Sequence, residues 1–101
     1  MGFFSDYLFS SPSHKYSDTE HFLSELEITK LVSEYKIKSL THGEENLVEQ
    51  TIIARRLGDG KISLRQIYEA LSKLKVSNKI SKYDREALMK LFQVYYDTHK
   101  N

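Results

Sequence analysis

The sequence predicts an all-α fold: a small domain of four helices arranged as helical hairpins, preceded by an aromatic N-terminal arm. Three observations support this prediction. Apolar residues recur at the spacing of amphipathic helices, capping motifs precede most of these runs, and strand signals are nearly absent. The length of 101 residues suits one hydrophobic core. We therefore divide the chain into an arm at residues 1–16 and a single helical domain at residues 17–101.

The N-terminal arm is rich in bulky apolar side chains, and a segment with serine and proline separates it from the first helix. Its bulky side chains are Phe3, Phe4, Tyr7, Leu8, Phe9 and Tyr16. Such a segment is unfavourable in water, so we expect it to pack against its own domain, a second protomer or a partner. The sequence leaves these three possibilities open, and a disordered arm as a fourth.

The first helix, predicted helix A, is expected at about residues 18–37. Ser17 and Glu20 have the spacing of a capping box, in which each side chain binds the other residue's backbone N–H. Its predicted buried face consists of Ile28, Leu31, Val32 and Tyr35.

Predicted helix B covers about residues 42–57. Thr41 and Glu44 repeat the capping-box spacing, and Gly58 is the expected left-handed residue after the helix. Its apolar face consists of Leu47, Val48, Ile52, Ile53 and Leu57.

Predicted helix C begins at Leu64, because Ser63 and Gln66 form a third potential capping box. Ile62 and Ile67 occupy the two positions of a hydrophobic staple, which supports the same start. The apolar face of this helix consists of Leu64, Ile67, Tyr68, Leu71 and Leu74.

Predicted helix D follows a turn at Ser77 and Asn78 and begins at Ser81, with Asp84 in its first turn. Its apolar face consists of Leu88, Leu91, Phe92 and Tyr95. We expect this helix to form a homodimer interface, because four helices offer more apolar surface than a thin monomer covers. The candidate interface residues are Phe92, Tyr95 and Tyr96.

Charge is distributed unevenly along the chain. Residues 1–53 carry four basic and nine acidic side chains, whereas residues 54–101 carry eleven basic and five acidic ones. The two halves could dock on each other or on a second protomer, or the basic half could face an anionic partner. A solvated helix surface would give the same pattern.

The charge pattern raises two alternatives to simple protein–protein contact. In the first, helices B and C form a helix-turn-helix that binds DNA or another anionic partner through the basic half. Its candidate residues are Arg55, Arg56, Arg65, Lys73, Lys82 and Arg85. In the second, the protein is an immunity, antitoxin or phage-type inhibitor that binds a basic target. Its candidate residues are Glu44, Glu45 and Glu49.

Patterns typical of catalytic or metal sites are not found in the sequence. There are no cysteines, and the four histidines lack metal-ligand spacing. Residues 58–63 match the middle of a calcium-binding loop, but Arg55, Leu57 and Gln66 replace three of its ligands. We therefore predict no enzyme activity, no cofactor and no bound metal.

The predicted location is cytoplasmic. The lack of cysteines fits a reducing compartment, no apolar run approaches the length of a membrane span, and the N-terminus lacks the features of a signal peptide. We therefore expect no membrane partner.

Four short segments carry a resemblance to a known family. They are Glu44-x-x-Leu47-x-Glu49, Leu57-Gly58-Asp59-Gly60, Ile62-Ser63-x-x-x-Ile67-x-x-x-Leu71 and Leu88-x-x-Leu91. Over about residues 44–95 the chain resembles the small biofilm and acid-resistance regulators of enteric bacteria, which are connector proteins of the Rcs-type phosphorelay; residues 1–40 lie outside the resemblance. It implies an all-helical, non-catalytic homodimer that regulates through contact with signalling proteins, with DNA as a further target.

The leading hypothesis from the sequence is therefore a small, non-catalytic helical regulator or adaptor that acts by protein–protein contact, such as a two-component connector.

Overall fold

The computed structural model describes residues 16–34 and 40–99 as a mostly helical fold with one small sheet. In chain order, the elements are β1 (Glu20–Phe22), α1 (Glu25–Glu34), α2 (His42–Arg55), β2 (Lys61–Ser63), α3 (Leu64–Val76) and α4 (Lys82–His99). The helical prediction is confirmed for these residues, but the sheet was not predicted. The arm lies outside the described residues except for Tyr16, and so do Tyr35 and the predicted end of helix A.

The predicted start of helix A was wrong. Residues 20–22 pair antiparallel with β2, with His21 opposite Ile62. Ser17 Oγ accepts a hydrogen bond from Thr19 N at 3.0 Å and does not cap a helix. The helix instead begins after Ser24, whose Oγ accepts from the N–H of Glu27 at 3.1 Å. The first part of predicted helix A is therefore a strand and a connecting turn.

The capping box before α2 is confirmed, but the predicted end of this helix was wrong. Thr41 and Glu44 make both reciprocal bonds, at 2.9 and 3.2 Å. The helix stops at Arg55, and the left-handed residue is Gly60 (φ +84°), not Gly58.

The turn that leads into β2 requires a left-handed residue at Gly60. Gly60 N donates to the carbonyl of Leu57 at 2.8 Å, and Leu57 N donates to the carbonyl of Lys61 at 2.9 Å. A Cβ on Gly60 would lie only 2.7 Å from Cε1 of Phe22, so the ring packs directly over the glycine. The turn thus brings β2 back beside β1.

The predicted starts of α3 and α4 are both confirmed. Ser63 and Gln66 make both bonds of their capping box, at 2.9 and 3.1 Å. Ser81 and Asp84 make an equivalent reciprocal pair, at 2.9 and 3.0 Å. The turn predicted at Ser77 and Asn78 lies between the two helices, and Asn78 adopts the left-handed conformation there, with φ +61°.

The core lies where all four described helices meet the inner face of the sheet. Its largest fully buried side chains include Leu23, Ile28, Ile52, Ile62, Ile67, Leu71, Leu88, Met89 and Phe92. On α4, Tyr96 is buried whereas Tyr95 is only partly buried. The Tyr96 hydroxyl donates to the carbonyl of Ile62 at 2.8 Å and so joins α4 to β2. None of the described helices is long and apolar enough to cross a membrane.

Candidate interaction surfaces

Arg56 of the predicted basic face is a structural residue. Its Nη1 donates to the carbonyl of Leu23 at 3.0 Å, and its Nη2 lies 3.2 Å from Glu25 Oε2. Only 16% of the Arg56 side chain is exposed. The guanidinium group therefore ties the end of α2 to the connection between β1 and α1, and it is not available to a partner.

Arg65 and Arg55 also have acidic partners within the chain. Arg65 Nη1 lies 3.6 Å from Asp18 Oδ2, and Arg55 Nη2 lies 3.5 Å from Glu69 Oε1. Both pairs are partly exposed, so each contributes little to stability. They nevertheless place a carboxylate beside each arginine, which weakens the attraction of these positions for an anionic partner.

Arg85 packs into a cleft formed mainly by α3 and α4. Its guanidinium carbon lies 4.8 Å from the ring centroid of Tyr68, and its Nη1 donates to Ser72 Oγ at 3.1 Å. Its Nε is buried and has no hydrogen-bond partner among the described residues. The two remaining members of the predicted basic face, Lys73 and Lys82, are exposed and form no ion pair with any described residue. The six predicted residues therefore do not form one continuous basic face.

The cleft beside Arg85 has a volume of about 410 Å³. Tyr16 and Tyr68 form part of its wall, with ring centroids 5.2 Å apart and planes tilted by 31°. Burial raises the pKa of Tyr16; the neighbouring Tyr68 adds to this increase and Arg85 opposes it. The cleft also contains Glu86, Met89, Lys90 and Gln93, with no evident arrangement of nucleophile and base.

The predicted acidic face is also divided among different roles. Glu49 is buried and accepts a 2.6 Å hydrogen bond from Ser33 Oγ, which links α1 to α2. Glu44 belongs to the capping box, and Glu45 lies 3.6 Å from His42 Nδ1. The three carboxylates therefore do not form one open acidic surface.

The candidate dimer residues lie largely inside the protomer. Phe92 is fully buried and Tyr96 nearly so. Burial raises the pKa of Tyr95, and a hydrogen bond with Glu27 raises it further. Phe92 and Tyr96 are thus core residues of the protomer, although the sequence analysis proposed them as dimer contacts. Self-association remains a prediction that needs another surface.

No three histidine, aspartate or glutamate side chains in the described ranges are grouped to hold a metal ion. In the loop that resembles a calcium site, Asp59 Oδ1 accepts a hydrogen bond from the backbone N–H of Lys61 at 3.1 Å. Asp59 therefore has a local structural role in the turn before β2.

Three exposed apolar side chains that the sequence analysis did not group lie in β1, just after it and in the turn that leads to β2. Phe22, Leu26 and Leu57 are 63%, 64% and 40% exposed, and we call these three residues the β1 patch. Phe22 and Leu26 lie two residues on either side of Ser24. Leu57 belongs to the turn on which the Phe22 ring packs, since it accepts a hydrogen bond from Gly60. The sequence analysis did not find this grouping because it placed Phe22 in a helix that begins at residue 18. In the structure Phe22 lies in a strand beside Lys61.

No described residue pairs with the outer edge of β1 beside this patch. Leu23 N donates to the carbonyl of Gly60 at 3.0 Å, so the N–H of Leu23 points towards the strand that β1 pairs with. Alternate residues of an antiparallel pair point their N–H and C=O groups in opposite directions. The backbone groups of Phe22 and Glu20 therefore point away from β2, and no described residue pairs with those of Phe22.

Comparisons of the chain with protein-family models, curated proteins and solved structures found no match. The function is therefore inferred from the surfaces of the protein.

Proposed function

We propose that this protein is a small, non-catalytic adaptor or regulator that binds another protein through the β1 patch and the outer edge of β1. The observation that carries this proposal is a strand edge that no residue of the described ranges pairs with, beside exposed Phe22, Leu26 and Leu57. An unpaired edge can accept an extended segment of a partner, and adjacent apolar side chains can provide specificity. A grouped apolar surface is also more informative than isolated exposed residues.

Several charged residues bind groups within the protomer and are therefore less available to a partner, which favours an apolar contact surface. Arg56, Arg65 and Glu49 each bind a group on another segment of the chain. Phe22 and Leu26, by contrast, are among the most exposed large apolar residues described, even though one edge of the Phe22 ring packs over Gly60. The balance of contacts therefore favours protein binding over an inhibitor surface built from Glu44, Glu45 and Glu49.

The partner is proposed to be a signalling or regulatory protein in the cytoplasm. This step is based on the resemblance of residues 44–95 to connector proteins and on the absence of cysteines. The segment Leu57-Gly58-Asp59-Gly60 belongs both to that resemblance and to the turn beside the β1 patch. A homodimer formed through the same edge would be compatible with this role.

The proposal is tested by comparing captured proteins on two matched double variants. Phe22→Ser with Leu26→Ser removes two apolar side chains from the β1 patch, whereas Val76→Ser with Val94→Ser removes two exposed apolar side chains elsewhere. Nuclease-treated cell extract is passed over each immobilised protein, and bound proteins are quantified by mass spectrometry. We expect a partner that is retained by the wild type and the control variant but lost by the β1-patch variant.

Equal retention on both variants would contradict the proposed surface. Circular dichroism of each variant provides the folding control, since all four substituted side chains are more than half exposed. Size measurement of the wild type by light scattering would separately detect self-association.

A further inference from the structure

The turn between α3 and α4 carries a dense cluster of unpaired positive charge. Lys73, Lys75, Lys79 and Lys82 lie within ten residues, and no acidic residue occurs between Ala70 and Tyr83. None of these lysines forms an ion pair with any residue in the described ranges. We call residues 73–83 the basic turn.

The backbone of the basic turn is fixed by hydrogen bonds. Lys79 N donates to the carbonyl of Leu74 at 2.8 Å, and Asn78 N donates to the carbonyl of Lys75 at 3.0 Å. These two bonds form a Schellman motif, with Asn78 as its left-handed residue. The lysines therefore project from a defined turn.

Nearby acidic residues do not neutralise this cluster. Asp84 is buried, accepts a hydrogen bond from Ser81 N at 2.9 Å and donates its own backbone N–H to Ser81 Oγ at 3.0 Å. Glu86 is one turn beyond Lys82, but the two side chains form no ion pair. The charge of the basic turn is therefore available to an anionic partner.

An exposed aromatic residue belongs to the same turn. Tyr83 is 76% exposed and follows Lys82 directly. Lysines attract phosphates, and an exposed aromatic ring can stack on an unpaired base. This combination is typical of surfaces that bind single-stranded nucleic acid without strong sequence preference.

We propose that the basic turn binds single-stranded nucleic acid, with its lysines at the phosphates and Tyr83 stacked on one base. A duplex would satisfy the lysines but keeps its base faces inside the stack, so it would leave Tyr83 without a role. An anionic membrane would also attract the lysines, but Val76 is the one aliphatic side chain exposed on the turn to enter it. The described contacts therefore favour the single strand.

This surface is separate from the β1 patch and does not depend on the proposed protein partner. The basic turn lies at the C-terminal end of α3, whereas β2 immediately precedes its N-terminal end. An α-helix of 13 residues spans about 20 Å. A protein at β1 and a nucleic acid at the turn could therefore bind at the same time.

The test measures fluorescence anisotropy of a labelled thymidine dodecamer titrated with the full chain over a series of salt concentrations. If four lysines each neutralise one phosphate, log K should fall with log salt with a slope of about −2.8 for a single strand. The corresponding slope for a duplex with four contacts would be about −3.6. We expect the single strand to bind more tightly than a duplex of matched length.

Two matched triple variants locate the contact. Lys73→Gln, Lys79→Gln and Lys82→Gln remove three charges from the basic turn; the control changes Lys30, Lys61 and Lys90 to Gln. All six lysines are exposed, and both variants change the net charge equally. The first variant should reduce the slope to about −0.7, whereas the control should keep the wild-type slope.

Two substitutions test stacking separately from charge. Tyr83→Ala should weaken binding of the dodecamer by about 5- to 150-fold, whereas Tyr83→Phe should retain most of the affinity because the ring remains. Circular dichroism should show an unchanged helical signal in each variant, since Tyr83 and the substituted lysines are exposed.

Several results would overturn the proposal: no binding to the dodecamer at low salt, equal weakening by the two triple variants, or tighter binding to the duplex. Binding to phosphatidylserine vesicles without binding to the dodecamer would also overturn it and would assign the basic turn to membranes. Failure here would leave the protein-binding proposal intact, because that proposal concerns β1 and nuclease-treated extract.

Discussion

Two neighbouring arginines at the end of α2 have different roles despite their identical chemistry. Arg56 donates to the backbone carbonyl of Leu23 and forms an ion pair with the carboxylate of Glu25. Arg55 forms a more exposed ion pair with Glu69. The sequence predicts cations in the last turn of this helix but does not show which one reaches another segment. That distinction depends on the direction of the chain after Arg56.

These roles predict unequal losses of stability. Arg56→Ala should lower the free energy of unfolding by about 1–3 kcal/mol, because it leaves a partly buried carbonyl without its charged donor. Arg55→Ala should lower it by less than about 1 kcal/mol, since exposed ion pairs contribute little. Urea denaturation of both variants measures the difference. Equal losses would contradict the structural role assigned to Arg56.

The raised pKa of Tyr96 predicts that the free energy of unfolding decreases in alkaline solution. Burial raises its pKa above the ordinary tyrosine value of 10.0, and Tyr95 adds to the shift. The unfolded chain therefore releases this proton at a lower pH than the folded chain, so stability is full below about pH 10 and falls as pH rises further.

Tyr96→Phe should separate two effects of the hydroxyl group on stability: its hydrogen bond at neutral pH and the release of its proton at alkaline pH. At neutral pH the variant should lose about 0.5–1.5 kcal/mol, because its hydrogen bond to the carbonyl of Ile62 is missing. Above about pH 10 it should lose less additional stability than the wild type, since it has no proton to release at this position. Urea denaturation at the two pH values is the measurement. A parallel alkaline loss in both proteins would contradict this assignment.

At the level of secondary structure, local chemistry predicted the helix starts well. Thr41, Ser63 and Ser81 each form the cap expected from their spacing to the residue three positions later. Such bonds form within four residues, so the sequence contains both partners side by side. Ser24 and Glu27 have the same spacing and would have revealed the true start of α1, had this pair been preferred to Ser17 and Glu20.

The two-stranded sheet was harder to predict from the sequence than the helix starts. His21 pairs with Ile62, 41 positions along the chain, and each strand has only three residues. Strands this short show little alternation of apolar and polar residues, and their pairing depends on how the helices pack. The β1 patch was missed for the same reason, because its grouping follows from the position of the strand.

The turn before β2 gives a direct test at this level. Gly60→Ala should destabilise the fold by about 1–3 kcal/mol, because its φ is positive and a Cβ would clash with Phe22. Gly58→Ala should be neutral or should stabilise by up to about 1 kcal/mol, since no atom lies within 4 Å of its Cβ position. Thermal and urea unfolding would measure both changes. The reverse order would restore Gly58 as the left-handed residue.

Across the whole molecule, the uneven distribution of charge is used partly within the fold. Arg56 with Glu25 and Arg65 with Asp18 join the basic half to the acidic half. Of the uses considered for the sequence, docking of the halves therefore has direct support from contacts. The lysines of the basic turn are not involved in this docking, which leaves them available for the nucleic-acid role proposed above.

The placement of aromatic residues could not be obtained from helical periodicity alone. Tyr95 and Tyr96 are adjacent, so a small rotation of α4 decides which one enters the core. Contacts of α4 with β2, including the Tyr96 bond to Ile62, fix that rotation. The sequence therefore predicted an apolar face on this helix but assigned part of the core to a dimer interface.

The central claim is that a partner protein occupies the outer edge of β1. The most direct test is amide hydrogen exchange of the free protein and of its complex with the captured partner. We expect the amides of Glu20 and Phe22 to exchange rapidly in the free protein and to become protected in the complex, because their N–H groups point away from β2. Unchanged exchange at both amides, with new protection confined to other elements, would contradict the claim.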